Sequence, residues 1–90
     1  MTEDPSPDYD ATLAEAEAAY RELRLAEAVD AYHRAEALRP TAYEPPLGLA
    51  RTLTRQRRHA EALAATERLL ALAPERWEGH AALGALHFLT

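Results

Sequence analysis

Leu25-Ala26-Glu27-Ala28-Val29-Asp30-Ala31-Tyr32-His33-Arg34-Ala35-Glu36-Ala37-Leu38-Arg39-Pro40 returns 34 residues later as His59-Ala60-Glu61-Ala62-Leu63-Ala64-Ala65-Thr66-Glu67-Arg68-Leu69-Leu70-Ala71-Leu72-Ala73-Pro74. Ala26/Ala60, Glu27/Glu61, Ala28/Ala62, Ala31/Ala65, Arg34/Arg68, Ala37/Ala71, Leu38/Leu72 and Pro40/Pro74 are identical pairs at that single offset. A fixed period of this length marks a solenoid, in which each unit buries its apolar face against the next.

Working outward from the repeated stretch, apolar residues recur every three or four positions, the spacing of one helix face. The first helix is expected over about Asp8–Glu22, with Ser6 or Asp8 as its cap and Tyr9, Leu13, Ala16, Ala19, Tyr20 and Leu23 on its apolar face. The second covers Ala26–Leu38, with Leu25, Ala28, Val29, Tyr32, Ala35 and Leu38 inward, and Pro40 ends it. The third starts near Glu44–Pro46, where proline is tolerated in a first turn, and runs to Gln56 on a stripe of Leu47, Leu49, Ala50 and Leu53. The fourth is Ala60–Leu72, with Ala62, Leu63, Thr66, Leu69, Leu70 and Leu72 inward. Glu75-Arg76-Trp77-Glu78-Gly79-His80 opens a fifth that runs to the chain end. The turn near Leu23–Leu25 lacks the glycine expected after a helix C-terminus. No segment reads as a strand, and connections this short force neighbouring helices to run antiparallel.

The units also share a wider pattern. Thr12-x₂-Glu15-Ala16-x₂-Ala19, Ala28-x₃-Tyr32 and Pro40 form the first. Pro46-x₂-Leu49-Ala50-x₂-Leu53, Ala62-x₃-Thr66 and Pro74 form the second, and His80-x₂-Leu83-Gly84-x₂-His87 opens a third. The chain resembles the tetratricopeptide repeat family, a 34-residue helix–turn–helix repeat with the pattern W-x₂-L-G-x₂-Y, A-x₃-F, P. It departs from that pattern at Glu15, at Thr66, at Leu69 and in the tryptophan slot, filled by Thr12, Pro46 and His80. The resemblance implies an all-α fold of five helices, stacked as a short right-handed α-solenoid of two and a half repeats. Residues 8–40 and 41–74 are the two full repeats and 75–90 the first helix of a third, or a capping helix, after an acidic leader (residues 1–7) expected to be disordered. Ala16, Ala28, Ala35, Ala50, Ala62 and Gly84 stand where the backbones of such repeats pass closest. Tyr9, Tyr43 and Trp77, at one shared offset, read as plugs between units.

The resemblance further implies that the first helix of each unit lines a concave groove for an extended or helical segment of another protein. The groove-facing positions are then Asp10, Leu13, Glu17, Tyr20 and Arg21; Glu44, Leu47, Arg51, Thr54 and Arg55; and Glu78, Ala81, Ala85, Phe88 and Leu89. Asp10, Glu44 and Glu78 form an acidic row at one edge, and Arg21 and Arg55 begin a basic row at the other. An arginine fork can hold a partner carboxylate through two parallel bonds. Acids at helix N-termini and arginines at C-termini also suit the helix dipole, and solvated helix charge is the plainer account of both rows. Arg51, Arg55, Arg57, Arg58 and His59 make the one basic cluster, again readable as a polar helix end and turn or as a surface for an acidic partner. Chaperone-binding members clamp a C-terminal carboxylate with lysine and asparagine. This chain has neither, and Leu13, Glu17 and Gly48 stand near the clamp positions, so the chaperone tail is not an expected partner.

Other chemistries find little support. There is no cysteine, which removes disulfides and thiolate chemistry. The one serine, Ser6, lies in the leader, and there is no Gly-rich phosphate loop. His80 and His87 are two turns apart, where a two-ligand metal site wants one. No catalytic residue, cofactor or metal is expected. The net charge of −5 divides into −6 over residues 1–40 and +1 over residues 41–90, which does not suit nucleic acid. No apolar run is long enough to span a membrane, and the N-terminus is no signal peptide, so the expected compartment is the cytoplasm. Abundant alanine and arginine without lysine, asparagine or isoleucine read as GC-rich coding, and the expected source is bacterial.

Leu83, Leu86, Phe88 and Leu89 crowd into seven residues, too many for one buried stripe, and read as an open-end interface. The expected function is a non-catalytic scaffold or adaptor, binding through its groove or its open C-terminal helix. The alternatives are the N-terminal part of a larger enzyme and a homo-oligomer assembled through the fifth helix.

Overall fold

A computed structural model describes the backbone of residues 7–89 and the side chains of residues 8–86. The described chain is all helix and turn: α1 (Pro7–Arg21), α2 (Leu25–Leu38), α3 (Glu44–Arg55), α4 (His59–Leu72) and α5 (Trp77–Leu89). Ser6, one of the two expected caps, lies outside the described residues.

Two kinds of punctuation alternate. Prolines close the even helices. Pro40 and Pro74 keep the residue before them out of the helical region, and Arg39 and Ala73 both stand at φ −144°. Each still closes its helix with a backbone bond, Arg39 N–H to Ala35 C=O and Ala73 N–H to Leu69 C=O. The odd helices end in a left-handed turn instead. Leu23 and Arg57 both sit at φ 63°. Leu23 N–H donates to Tyr20 C=O and Arg24 N–H to Ala19 C=O; Arg57 N–H donates to Thr54 C=O and Arg58 N–H to Leu53 C=O. That is the Schellman pairing usually built on glycine, made here with leucine and arginine. Arg24 pins the first turn by bonding Glu22 and Glu27, and Arg58 the second by bonding Gln56 and Glu61. At the start of α3, Pro45 and Pro46 occupy first-turn positions whose N–H groups have no helical partner to lose.

Each helix packs on the next, α1 on α2 through α4 on α5, as a short antiparallel helical-repeat stack of solenoid type. The odd helices also touch one another, α1 against α3 and α3 against α5, whereas α2 and α4 make no such backbone approach among the described residues. The stack is therefore tightest along its odd helices.

Small side chains make this approach feasible. Ala16, Ala28, Ala31, Ala35, Ala62 and Ala65 are all fully buried. Tyr32 lies so close over Gly48 that a Cβ there would fall inside the ring. The buried hydroxyls of Thr52 and Thr66 donate to the carbonyls of Gly48 and Ala62 four residues back, so neither is left unpaired.

Five expectations of burial need correction. Leu23, expected on the apolar face of the first helix, is 63% exposed, because it stands past the end of α1 in the left-handed turn. Leu38 and Leu72 were assigned inward but are 48% and 37% exposed, because they sit in the last turn of an even helix, on the outer side of the stack. Trp77, read as a plug, is 72% exposed. Gly84, read as a close-approach residue, has nothing within 4 Å of where a Cβ would stand. Both lie on α5, along which no further helix packs among the described residues.

Candidate functional site

The odd helices enclose one side of a cavity of about 350 Å³. Leu47, Ala50, Ala82, Ala85 and Leu86 give it an apolar floor, and Tyr20, Arg51, Thr54, Arg55, Trp77 and Glu78 its rim. The repeat phase brings these together: Arg51 and Arg55 are one turn apart on α3, and Glu78 opens the neighbouring α5.

The rim charges differ in how far they are already engaged. Arg76 takes Glu78 in a two-pronged grip, Nε to Oε1 at 3.1 Å and Nη2 to Oε2 at 2.9 Å. That grip, helped by a backbone N–H, holds the Glu78 carboxyl below the usual carboxylate range. Thr54 spends its hydroxyl on the Ala50 carbonyl at 2.6 Å. Arg55 lies 5.7 Å over the Tyr20 ring. Neither Arg51 nor Arg55 has a carboxylate partner among the described residues. The site thus joins an apolar floor to two guanidinium groups that close no ion pair, although the Arg51 charge is felt at Glu78 on the same rim.

Of the expected groove residues, Tyr20, Leu47, Arg51, Thr54, Arg55, Glu78 and Ala85 line this cavity. Asp10, Leu13, Glu17, Arg21, Glu44 and Ala81 do not. Glu44 instead accepts the Tyr9 hydroxyl at 3.3 Å. The acidic row is thereby partly consumed inside the molecule, with Glu44 on Tyr9 and Glu78 on Arg76. The side chains of Phe88 and Leu89 lie outside the described residues. Among the open-end residues, Leu86 is corrected: it is 1% exposed and belongs to the core. Leu83 is half-buried.

Sequence reasoning did not assign Trp77, Ala50, Ala82 or Leu86 to the cavity. Trp77 directly precedes Glu78 of the groove row, a signal that its reading as a plug had absorbed.

Among the described residues no three His, Asp or Glu side chains gather to hold a metal. The His80 Nε2 stands 2.8 Å from the Pro74 carbonyl, to which it donates in the Nε2–H tautomer. No described helix is long and apolar enough to cross a membrane. Compared with models of known families the chain matches none, and no curated protein matches it. A small all-α helical-repeat domain of this make is consistent with a non-catalytic module.

Proposed function

We propose that the domain is a protein–protein interaction module of the tetratricopeptide kind, which receives a segment of a partner protein in the cavity along its odd helices. The observation that carries this reading is the pairing of an apolar floor with Arg51 and Arg55, neither of which closes an ion pair among the described residues. Apolar burial supplies most of the attraction in such sites, and a few placed polar groups fix orientation. The segment that fits presents an apolar side chain to the floor and a carboxylate to the arginines, which suit planar two-pronged recognition.

The test is selection of a displayed peptide library on the purified domain. Enriched peptides should combine apolar with acidic residues and bind more weakly as salt rises. Arg51→Glu with Arg55→Glu should abolish their binding while far-ultraviolet circular dichroism stays unchanged. Retained binding would remove the cavity from the proposal.

A further inference from the structure

Arg51 and Arg55 act on opposite flanks of the cavity. α3 lies between α1 and α5, each of which packs on it, while α1 and α5 make no backbone contact with each other among the described residues. The Arg55 guanidinium stands 5.7 Å over the Tyr20 ring, on the α1 flank. The Arg51 charge reaches the α5 flank, where it adds to the grip of Arg76 in holding the Glu78 carboxyl low. Four residues of helix separate the two arginines, an offset of about 6 Å along the groove. A single phosphate would need the two guanidinium groups to converge, and they diverge. The arrangement calls for two separate carboxylates, one to each flank and offset along the groove, with an apolar side chain pointing down between them onto Leu47, Ala50 and Ala82.

Backbone geometry decides which kind of segment can supply that set. On a helix, residues four apart match the offset but project from one side, so both acids would meet the same flank. On a strand, residues two apart span about 6.7 Å but again share one face. A strand also wants an edge to pair with, and the walls here are helices whose backbone groups are bonded within themselves. A polyproline-II segment has three residues per turn and rises about 3.1 Å per residue. Three consecutive side chains then point three ways, and the first and third stand about 6.2 Å apart along the axis. Such a segment has no internal hydrogen bonds and asks none of the walls. Aromatic residues are the surfaces on which it packs, and Tyr20 and the exposed Trp77 stand on the rim.

We propose that the cavity receives a polyproline-II segment of a partner protein with an acidic, an apolar and an acidic residue in succession. Arg51 holds one carboxylate, Arg55 holds the other, and the middle side chain fills the apolar floor. The proposal rests on reading the domain as an interaction module and specifies what its groove recognises.

The probe is a labelled synthetic peptide, Pro-Pro-Glu-Leu-Glu-Pro-Pro, whose prolines favour the polyproline-II conformation. Its fluorescence anisotropy is followed as the purified protein is added, beside three controls. The first reorders the core to Leu-Glu-Glu between the same prolines. The second is a stapled helix with leucine between glutamates four residues apart. The third replaces the core by Gln-Leu-phosphoserine, which puts the charge on one group. The probe should bind in a saturable way and each control about fivefold more weakly or worse. Arg51→Gln should weaken the probe about fivefold and become indifferent to replacing one of its two glutamates by glutamine. Arg55→Gln should become indifferent to the other. Both arginine side chains are exposed, so the fold tolerates these changes. Equal or tighter binding of the helix, the reordered core or the phosphoserine peptide would overturn the proposal and leave the groove standing. So would indifference of either variant to both glutamates, or failure of the probe where library-selected peptides of another pattern bind. Failure of every peptide would remove the groove reading along with it.

Discussion

The two junctions between successive units use the same repeat positions and put their bulk in different places. At the first, Tyr32 on α2 lies over Gly48 on α3, and Ala35 and Thr52 complete the set. At the second, the equivalent positions hold Thr66 and Leu69 on α4 with Ala82 and Leu86 on α5. One aromatic ring against a bare backbone is replaced by two leucines, and Tyr32, Leu69 and Leu86 are all buried. The repeat thus specifies slots, while packing conserves volume across a set of slots rather than at each one. A substitution that looks conservative against the repeat pattern can therefore be costly in one junction and harmless in the other.

The largest test removes that bulk. Tyr32→Ala should cost about 3–5 kcal/mol and Leu69→Ala about 2–5 kcal/mol, read from urea unfolding followed by circular dichroism. Trp77→Ala, at the exposed aromatic slot, should change stability by less than about 0.5 kcal/mol. A comparable loss at Trp77 would break the contrast between covered and open units.

Next comes Gly48→Ala. Helix propensity alone favours alanine by about 1 kcal/mol. The new Cβ would fall inside the Tyr32 ring, so the expected net effect is a loss of about 1–3 kcal/mol. In a Tyr32→Thr background, which carries the second junction's residue, the same change should turn neutral or stabilising. A double-mutant cycle should return a coupling of at least about 1 kcal/mol. Additive effects would mean that the two slots do not share volume.

A further difference appears only in alkaline solution. Burial pushes the Tyr32 phenol up to about 12, with the Glu17 charge adding to it. Burial and the neighbouring Glu44 do the same for Tyr9. Both groups are held neutral by the fold, so their contribution is complete below the unfolded value near 10. It is lost as pH rises from there through about 12. The second junction carries Thr66 in place of a tyrosine. Tyr32→Phe should therefore flatten the alkaline fall in stability, measured by unfolding at stepped pH, and Thr66→Val should leave its slope unchanged.

The sequence carried these elements unequally. Period and proline placed all five helices, because both act through the backbone next to the residue concerned. Equivalence of position did not guarantee equivalence of surroundings. Trp77 and Gly84 match buried residues of earlier units, yet burial needs a neighbour that the residue itself does not encode. Leu86 was misread for the opposite reason: it replaces Thr52 of the preceding unit, and a run of apolar residues does not say which of them the neighbouring helix covers. At the cavity, repeat phase brought Tyr20, Leu47, Arg51, Thr54, Arg55 and Glu78 to one place. It could not foresee that Arg76 would grip Glu78 and leave Arg51 and Arg55 without an ion pair, since that depends on which of several nearby cations a carboxylate takes.

Smaller effects sharpen the comparison at the turns. Leu23 and Arg57 hold the left-handed conformation that glycine adopts without penalty. Leu23→Gly and Arg57→Gly should each stabilise by up to about 1 kcal/mol, read as a rise in melting temperature. Equal gains would show that both units close by the same backbone device, whatever their junctions do. A smaller gain at Arg57 would locate a compensating contact in the basic cluster around it.

The smallest expected effects fall at two exposed ion pairs of the even helices. Arg34 and Arg68 are repeat equivalents with different partners. Arg34 reaches Glu15 on α1 at 3.0 Å, inside its own unit, with both side chains more than half exposed. In the second unit Leu49 takes the place of Glu15, and Arg68 crosses instead to Glu36 on α2 at 2.7 Å. That bond spans two helices with no direct backbone contact, and Glu36 is the more sheltered carboxylate. Exposed ion pairs are worth about 0.2–1 kcal/mol. Arg68→Ala should fall at the upper end of that range and Arg34→Ala at the lower, and molar salt should shrink both. The ordering matters more than the size. Were Arg34→Ala the costlier change, the outer side of the first junction would be held by Tyr32 packing alone, and the ion pair across it would be a consequence of the stacking rather than a part of it.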